Sequence, residues 1–488
     1  MLDKITVLNV LCVLLGIFLF QIFRRAYFTP LRGIPGPWHA KFTHLWLKKH
    51  VITGRRMHYI HDMHQKYGPV IRVSPHEIDI ADPAAFQEIH RIGGGYVKSP
   101  WYQTFRTGET ADVFSMIDPR EHAQRRKLFA PLFSNSALMQ NWHSVVLEKV
   151  EMTINKMKAE LSANGQVDVF KWWTFMTADV ISHLSFGEPL GMLDKEKKTP
   201  EMQKIEDSTK FGGFKSELPL LAALLRYVPI QSVQDFVKSD EEVQRIAEET
   251  MRRVRYSGLK GANMFSKLVA ENEKEDATLT DYQVAFEAAG FIVAGSGTTA
   301  VTLTYIVWAV LSNSSIQAKL EEEVGNLPET YTDEDLKNLP YLSAVIEETL
   351  RLHGAAPGAL PRIVPKGGAT LAGHYIPEGI TVSTQAFSLH RNSTIYSQPE
   401  KFMPERFLTA EGAFDTSPKL AFNPFGAGTR TCLGVHLARM ELRHATVHYF
   451  RTFRGSRLAP QTTPASMEMV NHFLISPKSE QCWVALKV

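Results

Sequence analysis

Cysteine is scarce in this chain: its 488 residues hold three, Cys12, Cys432 and Cys482, far apart and with no CxxC pair. That spacing excludes a disulfide framework and a structural zinc site, and it fits a reducing compartment. An excess of one charge is lacking too. Lys plus Arg number 54 against 51 Asp plus Glu, a formal net charge of +3, too little to imply nucleic acid as a partner. No glycine-rich dinucleotide fingerprint or flavin domain can be found. Long uncharged runs are confined to Ile5–Phe23 and Ala288–Leu311. What is present is ordinary for a globular protein with an ample core: 44% hydrophobic and 22% charged residues. Length alone suggests about three domains, although single large folds reach this size.

The first uncharged run is long enough to cross a bilayer at about 1.5 Å per residue. Arg24 and Arg25 follow it, and only Lys4 is basic before it. A cleaved signal would have a shorter apolar run and a small-residue cleavage site. The sequence therefore predicts an uncleaved, single-pass anchor over residues 1–29 with the downstream chain on the cytosolic side. Pro30, Gly33, Pro35, Gly36 and Pro37 make a stiff hinge within 30–40, and 41–488 is left as the functional domain. Val70–Val73 and Ile78–Ala81 read as a hairpin, followed by an Asp82 N-cap and Pro83 in the first turn. Val145–Arg255 is helix-compatible and without a chemical motif, and its apolar part, Phe211–Ile230, suits either a membrane-touching lid or core packing.

Thr280 and Gln283 form a capping box before about thirty helix-compatible residues that include the second uncharged run. A membrane span is one reading. Four threonines, Thr298, Thr299, Thr302 and Thr304, and the glycines Gly295 and Gly297 favour a helix buried in a large domain. Each interior glycine costs about 1 kcal/mol against alanine, which suggests that they open the helix locally. Farther on, Glu348 and Arg351 are i,i+3 neighbours on a helix whose apolar face carries Leu342, Val345 and Ile346.

The densest signal is FNPFGAGTRTCLG, Phe422–Gly434. Gly426, Gly428 and Gly434 remove side chains where the backbone must turn or approach a ligand. Leu437, Ala438, Glu441, Leu442 and Ala445 then recur at helical spacing, so Cys432 stands at or just before a helix N-terminus, where a thiolate is favoured. A thiolate there could ligate iron. A lone cysteine in a glycine-rich turn would more often be structural, but Phe425, Gly426, Gly428, Arg430, Cys432 and Gly434 reproduce FGxGxRxCxG at every defining position. The chain resembles the cytochrome P450 family.

Other motifs follow in the family's order. Glu121–Ser134 resembles its C-helix, usually WxxxR, with His122 in place of the Trp and Arg126 retained; both would meet a haem propionate. AGSGTT, Ala294–Thr299, resembles AGx(D/E)TT, with Gly297 where the family has an acid. Glu348 and Arg351 resemble ExxR and would join Arg406 of PERF, Pro404–Phe407, in a buried triad behind the haem. Arg362 would reach a propionate, and LAGHYIPEGITV would form a strand pair around Pro377–Gly379. The resemblance implies a mainly α fold with a small β region and haem b, with Cys432 as the iron ligand and Phe425, Arg430 and Gly434 around it. Oxygen would be activated at Thr298, with Thr299, Gly295 and Gly297 forming its groove. It further implies monooxygenation of a hydrophobic molecule such as a terpenoid, polyketide or alkaloid in the endoplasmic reticulum membrane, most like filamentous-fungal biosynthetic members. NADPH-cytochrome P450 reductase would supply electrons, with cytochrome b5 as a second candidate, and would dock on Arg125, Lys127, Arg439 and Arg443. Candidate substrate contacts are Phe105, Phe114, Met116, Phe291, Ala359, Leu360 and Met469. The missing acid at Gly297 leaves open a haem-thiolate isomerase or dehydratase that consumes no oxygen, and a non-catalytic haem sensor is a further alternative.

Overall fold

The computed structural model describes residues 4–105, 111–256, 263–265, 279–417, 419 and 421–486. Helix α1, Lys4–Tyr27, projects apolar side chains outward, with Leu11 57% and Phe20 65% exposed. Its end is tied down. The Arg72 guanidinium donates to the carbonyls of Arg25 (3.4 Å), Ala26 (3.5 Å) and Pro75 (2.9 Å), and the Arg72 N–H bonds the Pro35 carbonyl at 2.7 Å. A Cβ on Gly36 would lie 2.4 Å from the Arg72 carbonyl, so only glycine lets the proline-rich segment lie this close.

The small β region holds β1 (Val70–Ser74), β2 (Glu77–Ile80), β3 (Val97–Lys98), β4 (Arg362–Ile363) and β5 (Thr381–Ser383) in one sheet of order β1-β2-β5-β4-β3. The expected hairpin is β1 and β2, antiparallel, and the Asp82 carboxylate accepts the Ala85 N–H at 2.8 Å as the expected cap. One expectation needs correction. Ala369–Leu371 pairs with His374–Ile376 through a turn at Ala372 (φ 43) and Gly373 (φ 80), not around Pro377–Gly379. Two consecutive residues with positive φ suit a tight hairpin turn, and the chain after Gly379 crosses instead to β5, beside β2.

Most of the chain is helical: α2 (Pro119–Phe129), α3 (His143–Asn164), α4 (Val169–Phe186), α5 (Pro200–Glu217), α6 (Asp281–Leu311), α7 (Pro340–His353) and α8 (Val435–Thr452). Thr280 starts α6 through the predicted capping box with Gln283. The uncharged stretch of α6 is 67% buried within the protein, so it is a core helix packed against α4, α7 and α8. The Thr302 and Thr304 hydroxyls donate to the carbonyls four residues back, which satisfies them inside the core.

The glycines of α6 do not break it; the helix runs without interruption from Asp281 to Leu311. A Cβ on Gly295 would lie 2.7 Å from Ile181 of α4, so this glycine serves close helix packing. Around Gly297 the nearest atom is Leu474 Cδ1 at 3.7 Å, which leaves room for a side chain. Phe291 also departs from expectation. It is buried among Phe129, Phe133 and Phe265, with ring centroids 5.2 to 5.8 Å away, and belongs to the core. Met469 packs into the same core. Of Phe211–Ile230, Phe211 is buried, whereas Leu220 is 83% and Tyr227 85% exposed, so the segment is core at its start and outward-facing beyond.

Candidate active site

The loop before α8 is shaped by its glycines. Gly428 has φ +64, and a Cβ there would lie 2.1 Å from the His90 carbonyl oxygen. The Cys432 N–H donates to the Phe425 carbonyl at 2.9 Å, and Gly434 is the N-cap residue of α8. Cys432 is exposed, yet burial dominates the surroundings of its thiol, so the residue borders an opening within the protein. Burial pushes the thiol pKa up, against the opposing pull of the Gly434 N–H and the Arg126 charge. The helix end therefore does not make the thiolate by itself. A bound cation would.

Around this space gather Lys98, His122, Arg126, Arg362 and Arg430. Lys98 and Arg362 are partners across β3 and β4, an arrangement that places like charges directly opposite and is destabilising on its own. Both are buried, 6% and 4% exposed. Among the described residues, the bonds these cations make go to neutral groups. Arg362 donates to the Tyr102 hydroxyl (3.2 Å) and the Pro361 carbonyl (3.0 Å), Arg430 to the carbonyls of Met116 (2.7 Å) and Ile117 (3.0 Å), and Lys98 to that of Phe114. Burial, then the Arg362 and Arg430 charges, drives the Lys98 pKa well below its ordinary value. His122 is depressed to about 3 by burial and by Arg430, Lys98, Arg126 and Arg362, and Arg430 to about 10 by burial and Arg362. A buried cluster of this kind calls for an anion. The two carboxylates of a haem fit it, and the thiol of Cys432 beside Arg126 fits the iron.

On α6 the Thr298 hydroxyl donates to the Ala294 carbonyl at 2.7 Å. Ala294 is exposed halfway along a mostly buried helix, while Ser296 and Thr299 are buried. The Ser296 carbonyl accepts from Thr177 of α4 at 2.6 Å. Phe105 and Phe114 join Trp101, Tyr102 and Phe473 in a cluster of rings 4.8 to 6.1 Å apart. Phe473 holds φ 104, a conformation that costs a non-glycine residue about 1–3 kcal/mol. The same turn brings Leu474 to Gly297. Met116 and Ala359 are buried, Leu360 half-buried.

The expected triad forms. Arg351 donates twice to Glu348, at 2.7 and 2.9 Å, and Arg406 once at 3.1 Å. Every further donor of Arg351 meets a carbonyl, of His390, Pro399 or Lys401. The basic docking face needs correction, since Arg125 pairs with Glu287, Arg439 with Glu347 and Arg443 with Asp333. Of the four, only Lys127 stands exposed. Sequence reasoning missed Lys98, which no motif marks, and Phe473, whose backbone angle is invisible in one dimension.

Residues 33–483 match the sequence pattern of the cytochrome P450 family. The chain is 39% identical over 478 residues to cytochrome P450 monooxygenase cypX of Dothistroma septosporum, covering 96% of this chain and 93% of that protein. It is 39% identical over 482 residues to cytochrome P450 monooxygenase tazI of Aspergillus terreus, covering 97% of each. It is 31% identical over 401 residues to the methylphloroacetophenone oxidase of Cladonia uncialis, covering 78% of this chain and 86% of that one. A pattern match over nearly the whole chain, with relatives of this coverage and a thiol beside Arg126, leaves one conclusion: the chain belongs to the cytochrome P450 family, as a haem-b monooxygenase related to those of fungal secondary metabolism.

Proposed function

We propose that the protein is anchored by α1 in the endoplasmic reticulum membrane and inserts one oxygen atom into a flat aromatic molecule, a polyketide, by hydroxylation or epoxidation. The observation that carries the proposal is the buried cation cluster near Cys432, in which Lys98 and Arg362 stand opposite each other across β3 and β4 and bond, with Arg430, to neutral oxygens. Cys432 would hold the iron, and Lys98, His122, Arg126, Arg362 and Arg430 would hold the propionates. Haem bound there supplies oxygen activation. The residues of the chain orient the substrate, exclude water and move protons. The ring cluster of Trp101, Tyr102, Phe105, Phe114 and Phe473 favours an aromatic substrate through stacking and edge contacts. One relative is named for oxidising an aromatic ketone, methylphloroacetophenone. Electrons come from a separate NADPH-dependent reductase, since the chain carries no dinucleotide fingerprint.

Thr298 would hold the water that passes protons on, because Gly297 offers no acid. Reduced, CO-bound protein should give the red-shifted thiolate band, and Cys432→Ser should lose it. With substrate, isotope-labelled dioxygen should leave one labelled atom in the product. Thr298→Ala should keep NADPH consumption but yield hydrogen peroxide in place of product. Turnover without dioxygen and NADPH would overturn the oxygenase assignment of this site.

A further inference from the structure

The bend Asp112–Ile117 touches both the ring cluster and the buried cations. The centroid of its Phe114 ring stands 5.4 Å from that of Tyr102, 5.9 Å from Phe105 and 5.5 Å from Phe473. Its carbonyls take the cations: that of Phe114 accepts from Lys98, and those of Met116 and Ile117 accept from Arg430 at 2.7 and 3.0 Å. The bend is also closed on itself. The Asp112 carboxylate accepts the Ser115 N–H at 2.7 Å and the Ser115 hydroxyl, and the Met116 N–H donates to the Asp112 carbonyl at 3.0 Å. Asp side chains that bond the backbone just ahead of them fix a turn in this way, so Phe114 is carried as part of one unit.

The start of this unit is held from α6. Glu287, 1% exposed, accepts the Val113 N–H on both carboxylate oxygens, at 3.0 and 3.2 Å, and the Arg125 guanidinium of α2 at 2.8 Å. A Cβ on Gly290, three residues farther along α6, would lie 3.2 Å from Asp112 Oδ2, so the helix is cut back where the bend rests on it. Burial and then the Asp112 charge push the Glu287 pKa up to about 8, against the pull of Arg125 and the Val113 N–H. A buried carboxylate is costly unless its partners are in place, which argues for a positional use. We propose that Glu287 is a positioning residue for substrate selection: by clasping the Val113 N–H to α6 it fixes the bend that carries Phe114, and so sets where the ring cluster can receive an aromatic group. Lys98 and Arg430 hold the far end of the same bend, so the clasp fixes the ring wall against the cation cluster. The inference rests on the reading of that wall as the part that meets an aromatic substrate.

The test titrates the haem-loaded protein with imidazole and with 4-phenylimidazole, which offer iron the same kind of nitrogen and differ by one phenyl ring, and follows the Soret shift. The wild type should bind the phenyl compound roughly ten- to a hundredfold tighter, as burial of a ring of that size gives. Glu287→Ala should cut this preference about three- to tenfold, as for lost aromatic contacts, with imidazole affinity and the CO-bound band unchanged. Glu287→Gln, which can still accept the Val113 N–H, should keep most of the preference. Phe114→Ala should lower it as well, and adding Glu287→Ala to Phe114→Ala should lower it no further, since residues that act through one contact are not additive. Additive losses, or equal weakening of both ligands, would mark a merely structural carboxylate and overturn the proposal. An unchanged preference in Glu287→Ala overturns it too but leaves the ring wall standing, whereas no preference in the wild type refutes both. Should Glu287→Ala not fold, Arg125→Met combined with Glu287→Met removes both charges at similar volume and is read in the same way.

Discussion

Two groups of buried charge in this molecule behave in opposite ways. Around Glu348, each charge is answered by the chain itself: two arginines, one carboxylate, and carbonyls for the remaining donors. Around Lys98, His122, Arg126, Arg362 and Arg430, the donors meet only neutral oxygens among the described residues, and the cations depress one another's pKa values. The first is complete without a ligand; the second would be completed by an anionic one. Two glycines of α6 repeat the contrast, since Gly295 is closed by Ile181 and Gly297 is open. A region that folding finishes and a region left for a cofactor can thus be told apart by whether the buried cations meet a carboxylate.

The largest effect is expected on the finished side. Arg351→Ala leaves Glu348 with one buried partner fewer and should cost about 3–5 kcal/mol, seen as loss of folded, haem-loaded protein in thermal unfolding. Lys98→Met breaks the other side differently. Apoprotein stability should hold or rise, because a repulsive charge is gone, while haem should dissociate faster by about tenfold or more, as for loss of a hydrogen bond to a charged group. If both states were destabilised alike, the cluster would be structural and the contrast false.

Protonation sharpens the same contrast. The His122 pKa in the folded apoprotein, about 3, lies below its ordinary 6.5, so the unfolded chain binds more protons in between. Apoprotein stability should fall as pH drops from neutral to about 5. With haem bound, a propionate raises that pKa and the loss should shrink. Denaturant midpoints of the two forms at the two pH values read this directly. The smallest effects concern α6. Gly295→Ala should cost about 1–3 kcal/mol through its clash with Ile181, whereas Gly297→Ala should be neutral or gain up to about 1 kcal/mol. Equal melting temperatures for the two variants would remove the distinction.

Much of the site was legible because its motifs are local. The turn glycines, the cysteine before a helix, the Glu348–Arg351 spacing and the capping box at Thr280 are each set within a few residues, and each appears where the pattern put it. What failed depended on partners distant in sequence. Arg125, Arg439 and Arg443 looked like a free basic face until Glu287, Glu347 and Asp333 arrived from other helices. Phe291 looked like a substrate contact until Phe265 stacked on it.

The sequence by itself determined the family, the candidate ligand cysteine before its helix, the mainly helical fold and the exposed apolar helix at its start, because spacing along one helix or turn fixes those relations. The tertiary structure alone decided which buried charges are balanced. Lys98 meets Arg362 only because strands 264 positions apart pair. Desolvation acts on groups by their distance in space, and that distance does not exist until the chain has folded.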